Sequence, residues 1–448
     1  MIKRVLLLLL LLSLPSLSAQ EAPSPADLER RIRDLEARVA EMQRVAPSPD
    51  LAEIRRQIDI LTREIESLKT PQKVAAVTAD QSQYGLGAAA SKVYRADGGV
   101  SLGGYGEMIY QNVAGTNDSG ARVTARDNAD MLRAVLYAGY KFSDRVLFNS
   151  ETEFEHGSTG AGGEVSVEFA YLDFLVRENM GIRAGLVLVP LGFVNEQHEP
   201  TAYLGSRRPL VERVVIPATW REMGVGAFGE SGAISWRGYL VTGLNAARFT
   251  SSGIRSGRGN GAQSLAEDFA LTGRVDWQPV VGATLGGAFY AGNSGQGALV
   301  NGQRLDARVS LYELHAQTKM RGMQLRGVWS RGNIADAAEI NALNKLTGPA
   351  SVGRSFGGWY AEAGYDLATL RGFGDRSLVP FVRYEKFNTQ RSVPTGFSLS
   401  RALDQSITTL GVQWNPIGQA VIKADYQNVD NEARTGTNQW NVAVGYIF

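Results

Sequence analysis

The 448-residue chain carries 46 basic and 45 acidic side chains, a formal charge of +1. That balance leaves no electrostatic footprint for nucleic acid. Cysteine is absent, which excludes a disulfide framework and lipid attachment at a processed cysteine. Mean hydropathy is slightly negative, which excludes a bundle of membrane-spanning helices, while glycine, tyrosine, phenylalanine and tryptophan are plentiful.

Lys3 and Arg4 precede an apolar run from Val5 to Leu12, and Ser13, Pro15, Ser16, Ser18 and Ala19 follow. A charged start, a short apolar centre and a small-residue end form the pattern of a cleaved signal peptide over residues 1–19. The run is too short for the ~20 apolar residues of a spanning helix.

Residues 20–70 form a separate region. Leu28, Ile32, Leu35, Val39 and Met42 repeat at heptad spacing, as do Leu51, Ile54, Ile58, Leu61, Ile65 and Leu68. Pro47 and Pro49 interrupt the phase. The expectation is a short helical coiled coil in the periplasm. Helices of about 15 residues are marginal alone, so the seam must be covered by other copies, by an intramolecular hairpin, or by a partner such as peptidoglycan or a periplasmic protein. Residues 71–98 have no sustained period and read as a linker.

From Gly99 to Phe448 the chain consists of short alternating runs separated by turns. Leu132, Ala134, Leu136, Ala138 and Tyr140 alternate with Arg133, Tyr137 and Lys141; Phe148 and Phe154 alternate with Glu151, Glu153 and Glu155. At the end of the chain Trp440, Val442, Val444, Tyr446 and Phe448 alternate with the small or polar Asn441, Ala443 and Gly445. Period two means one apolar and one polar face. Short turns such as 143–144 and 415–418 alternate with long polar connections such as 112–129 and 332–356. That asymmetry, with charges at strand centres, predicts an all-β transmembrane antiparallel barrel over 99–448. About 350 residues at about 22 per strand and connection give about 16 strands. The polar face then lines the interior: Arg133, Lys141, Glu151, Glu153, Glu155, Arg183, Arg326, Arg383, Glu385 and Lys423. A barrel of this width leaves an aqueous channel.

Five stretches carry a family likeness: Gly185 to Pro190 with Asn195-Glu196 and His198-Glu199-Pro200; Ile216 to Gly224; Leu314-His315-Ala316 with Leu325-Arg326-Gly327; Phe381 to Gln390; and Lys423 to Gln427. In this order they resemble the phosphate-selective porin O/P family of outer-membrane porins. The resemblance implies a sixteen-stranded barrel, a homotrimer, a loop folded inward as a constriction, and passive diffusion of small hydrophilic solutes, including anions such as phosphate. The lumen charges here are mixed in sign rather than dominated by arginine.

The long interruption from Gly192 to Arg221 is the candidate constriction, with Arg207, Arg208, Arg213, Arg221, Glu196, Glu199 and His198 as candidate solute-binding residues. Charges at a constriction set selectivity, and guanidinium groups suit oxyanions. The competing reading is that these charges pair and brace the loop. A structural outer-membrane protein, tethered through its coiled coil, is the alternative to a channel. No catalytic constellation is legible: Ser310 and His315 fall on opposite faces, and Ser150 and His156 on the apolar one. No zinc-ligand spacing is present, so neither a metal nor a cofactor is expected.

Overall fold

The computed structural model describes residues 82–448 except 161 and 372–375, with scattered residues between 30 and 62. The described residues among 30–37 and 56–62 are helical. The expected signal peptide, the apolar seams of the coiled coil, and the first part of the expected linker lie outside the described residues.

Among the described residues, eighteen strands follow. They are β1 Gly99–Val113, β2 Asn128–Ser143, β3 Val146–Glu155, β4 Val165–Arg177, β5 Met180–Leu188 and β6 Arg221–Ser231. Next come β7 Ile234–Thr242, β8 Phe269–Trp277, β9 Ala283–Gly292, the small pair β10 Leu299–Val300 and β11 Gln303–Arg304, and β12 Val309–Met320. The last are β13 Met323–Ile334, β14 Ser355–Tyr365, β15 Ser377–Ser392, β16 Asp404–Ile417, β17 Ala420–Asn431 and β18 Gln439–Ile447. All except β10 and β11 form one closed antiparallel barrel in which each strand pairs with its sequence neighbour and β1 pairs with β18. The expected sixteen strands are therefore present. Closure leaves no unpaired edge, which a barrel in lipid requires.

Alternation in sequence becomes alternation in space. Leu136, Trp277, Trp329, Trp414 and Val444 point outward and are exposed, whereas Arg133, Glu153, Lys423 and Asn441 point inward. Exposed aromatic residues gather towards both ends of the wall. Tyr140, Phe142 and Trp277 lie towards the short turns, and Tyr110, Phe154 and Trp440 towards the long connections. An apolar band between aromatic girdles is the surface of a barrel built for a bilayer. The two-residue turn between Met320 and Met323 has positive φ at both Arg321 (51°) and Gly322 (83°). That geometry matches the strand twist and favours glycine at its second position.

Residues 82–98 correct the linker reading: they pack inside the barrel at its short-turn end. Leu86, Ala88, Ala89, Ala90 and Val93 are buried. Polar wall groups satisfy backbone carbonyls of the segment and the hydroxyl of Tyr94. Asn149 Nδ2 donates to the Ala90 carbonyl (2.9 Å), Lys141 Nζ donates to that of Ala96 (2.8 Å), and Tyr94 donates to Asp173 (2.6 Å). A Cβ on the inward-facing Gly139 would lie 2.7 Å from Val93, so glycine makes this close approach possible. The lack of sequence period is that of a plug held by its surroundings.

The terminal residue completes the wall. The backbone N–H of Phe448 donates to Gly104 (2.9 Å) and its carbonyl accepts from Gly104 (3.1 Å), while the ring faces outward and Ile447 faces inward. Deleting Phe448 removes both bonds and an outward aromatic, so folded protein recovered from membranes is expected to fall well below that of Ile447→Ala. Heat-modifiable mobility on gels measures it; equal yields would count against Phe448 as the closing residue.

Candidate functional site

The connection from β5 to β6, residues 189–220, leaves the long-loop end and folds into the lumen. Its two stems are tied by Asn195. The Asn195 side-chain amide donates to the carbonyls of Val189 (2.5 Å) and Trp220 (3.0 Å), and its oxygen accepts from the Trp220 N–H (2.6 Å). Val189, Leu191, Val194, Val211, Val215, Ile216 and Trp220 of this connection are buried in the hydrophobic cluster inside the barrel. A Cβ on Gly445 of β18 would meet Pro200 at 2.5 Å; the small-residue face of the last strand thus makes room for the inward segment.

Irregular backbone inside a barrel needs polar partners, and wall charges supply them. Arg326, Lys423 and Arg383 donate to the carbonyls of Ala202 (2.8 Å), Tyr203 (2.8 Å) and Leu204 (3.0 Å). Asp425 and Glu385 accept the N–H groups of Ser206 (2.5 Å) and Val211 (3.1 Å). All ten expected lumen residues face inward, and several of them serve this scaffold rather than open water. Arg183 is bidentate to Asp173 (2.9 Å for both bonds).

The candidate constriction residues divide into two groups. Glu196 is clamped by Arg237 (2.6 and 2.5 Å) with Arg274 at 3.8 Å. Glu199 accepts the Ala89 N–H (3.0 Å), His198 faces Glu151 (2.9 Å), and Arg221 approaches Glu168 (3.5 Å). These four brace the inward segment. Arg207, Arg208 and Arg213 form the second group, and Glu196, Glu199 and Glu212 do not neutralise them. Glu212 instead accepts from Tyr360 (2.6 Å) and Val194 (2.7 Å). Arg207 donates to Gln111, and Arg208 donates to the His198 carbonyl (3.2 Å).

Arg207, Arg208 and Arg213 line a basin of about 240 Å³ on the long-loop side, together with Arg133 and Arg255. Glu107, Asp130 and Glu155 also line it, but Glu107 pairs with Arg133 (3.2 Å) and Asp130 with His156 (2.7 Å). Among the described residues no carboxylate lies within salt-bridge distance of Arg207, Arg208, Arg213 or Arg255. The buried Nε atoms of Arg207 and Arg208 have no hydrogen-bond partner. Burial, then the guanidinium groups of Arg207 and Arg255, pushes Arg213 down to about 9, which leaves it cationic at neutral pH. On the other side of Tyr203 a second chamber is lined by Lys319, Arg326, Gln317, Gln324 and Gln413. Tyr203 touches both spaces. Sequence reasoning missed Arg255, which sits in a separate loop and donates to the Arg213 carbonyl (3.0 Å). It also missed Glu168, which lies on a strand the periodicity did not single out.

The braces make their own prediction. Arg237→Met leaves Glu196 buried with only the more distant Arg274, and Asp276 with one partner fewer. Breaking a buried pair costs about 3–5 kcal/mol, so the midpoint of denaturant unfolding is expected to drop sharply. An unchanged midpoint would show that Glu196 is not charged in the folded state.

Comparison with known proteins places the chain. It is 34% identical over 377 residues to an uncharacterized protein of Aquifex aeolicus (strain VF5), covering 81% of this chain and 83% of that one. The chain belongs to that protein's family. No family model matches the chain, so the likeness to the phosphate-selective porin O/P family rests on the quoted stretches alone. Among solved structures, Salmonella typhi OmpF in complex with daunomycin superposes with a TM-score of 0.51 at 13% identity, over 79% of this chain and 98% of that one. The anion-selective porin from Comamonas acidovorans gives 0.50 at 10% identity, over 79% and 100%. A loop-deletion form of the outer-membrane protein OmpT of Vibrio cholerae gives 0.50 at 11%, over 79% and 100%. These likenesses establish the fold, which is that of the sixteen-stranded outer-membrane porins.

Proposed function

We propose that this chain is an outer-membrane porin that passes small hydrophilic solutes by passive diffusion and prefers anions, phosphate among them. The observation that carries the reading is the basin of four arginines without carboxylate partners on the face of the inward segment. A confined positive site raises the local concentration of anions, and the guanidinium fork pairs with oxyanions bidentately. Lys319 and Arg326 continue the positive lining beyond Tyr203. The apolar band and aromatic girdles support an outer-membrane location. An outward depression lined by Leu285, Leu325, Val382 and Tyr384 beside the small Ala316, Gly327, Ala361 and Ala363 supports the homotrimer that the family resemblance implies. The reading has no catalytic step and requires no cofactor.

Planar-bilayer recording tests it. The wild-type protein is expected to give discrete conductance steps in chloride, and added inorganic phosphate is expected to reduce the chloride current by occupying the basin. Absence of steps would defeat the channel reading. Steps that ignore phosphate would defeat the oxyanion preference and leave a general pore.

A further inference from the structure

Three side chains that do not line the basin meet where the inward segment packs against the β3–β4 wall. His198 comes from that segment, Glu151 from β3 and Glu168 from β4. Their exposures are 1%, 0% and 0%. One donor atom from each lies within 4.8 Å of the others. His198 Nε2 is 2.9 Å from Glu151 Oε1 and 3.4 Å from Glu168 Oε2.

The tautomer is set from the far side of the ring. His198 Nδ1 is 3.1 Å from the Asn195 carbonyl, which only accepts. The proton therefore sits on Nδ1, and a neutral ring turns the Nε2 lone pair towards two carboxylates. Three electron-pair donors then converge on one gap. A second proton on Nε2 would satisfy Glu151 but not Glu168, whose Oε2 is beyond ordinary N–H···O range. That oxygen is fully buried and has no hydrogen-bond partner.

Neighbouring cations do not fill the gap. Arg133 is taken by Glu107 and Glu153, Arg221 approaches only the other oxygen of Glu168, and Arg208 turns to Tyr105 and the His198 carbonyl. A tetrahedral ion with bonds of about 2.0–2.1 Å separates its ligand atoms by about 3.3 Å, near the 2.9 and 3.4 Å from Nε2 to the two carboxylates. Histidine bound through one nitrogen, with the other held by a backbone carbonyl, is the usual arrangement of a metal-binding imidazole.

The geometry points to a divalent transition-metal site, best suited to Zn²⁺, formed by Glu151, Glu168 and His198. Imidazole with carboxylates favours zinc over magnesium or calcium. The ion staples the inward segment to the β3–β4 wall, and the fourth position is left for water. The assignment does not depend on whether the barrel conducts.

The test uses the untagged full-length protein in detergent, stripped with a chelator and reloaded with Zn²⁺ alone. Metal analysis is expected to find one zinc per chain in the wild type, and none retained in His198→Ala or Glu168→Gln. Glu168→Gln keeps the side chain's volume, so it serves as the decisive variant if His198→Ala does not fold; heat-modifiable mobility reports folding. Co²⁺ loading should give the visible absorption of a four-coordinate ion in the wild type only. Folded wild-type protein without stoichiometric zinc, or folded Glu168→Gln that retains it, would overturn the site and leave His198 as a buried histidine hydrogen-bonded to Glu151.

Discussion

Deleting residues 20–96 is expected to raise single-channel conductance several-fold while the barrel still assembles. The segment from 82 occupies the short-turn end of the lumen, and sixteen strands alone leave an open channel. Burial of Leu86 and Val93 contributes about 1.5–3 kcal/mol each, and the deletion also leaves Asn149 and Glu199 without their backbone partners. Because the lumen is then wet, those groups regain water, and the cost falls on stability rather than on folding itself. The wall hydrogen bonds and the other ties of the inward segment, Glu196 to Arg237 and Asn195 to Trp220 among them, are untouched. Conductance equal to that of the full chain, in protein that retains heat-modifiable mobility, would show that the plug does not obstruct the path.

Replacing Arg207, Arg208 and Arg213 together by glutamine is expected to shift selectivity from anions towards cations. These residues supply most of the unpaired positive charge of the basin, and the acids that line it, Asp130 and Glu155, would remain. Confined charges are screened less than surface ones, so the effect on selectivity should be large. The effect on fold should be small, because no ion pair is broken; Arg207 and Arg208 each lose only neutral partners. Unmoved selectivity together with lost gel mobility would instead make the arginines braces. Arg255, held in place by the Arg213 carbonyl, would soften the shift, and adding Arg255→Gln is expected to complete it.

The wall was legible because period two acts locally: each strand declares its faces in five or six residues, as in Trp440 to Phe448. The plug was not. Residues 82–98 fold against polar and glycine positions contributed by β1, β2, β3 and β4, and a segment shaped by its container shows no period of its own. Gly445 was visible as a small inward residue, but which chain segment fills the space it leaves depends on the barrel's closure. The inward segment could be placed from its length. Its charges could not be sorted, because Glu196 finds Arg237 and Arg383 finds Leu204 only through the register of distant strands. For the same reason the meeting of Glu151, Glu168 and His198 carries no motif: the ligands come from three elements, with none of the short spacings by which zinc sites are read from sequence.

The basin makes the pore prefer anions, and the reversal potential of the wild-type channel under a potassium chloride gradient tests this most directly. With the high-salt solution on one side, the expected potential has the sign set by chloride and grows larger as ionic strength is lowered and screening weakens. A potential of the sign set by potassium, in channels formed by folded full-length protein, would contradict it.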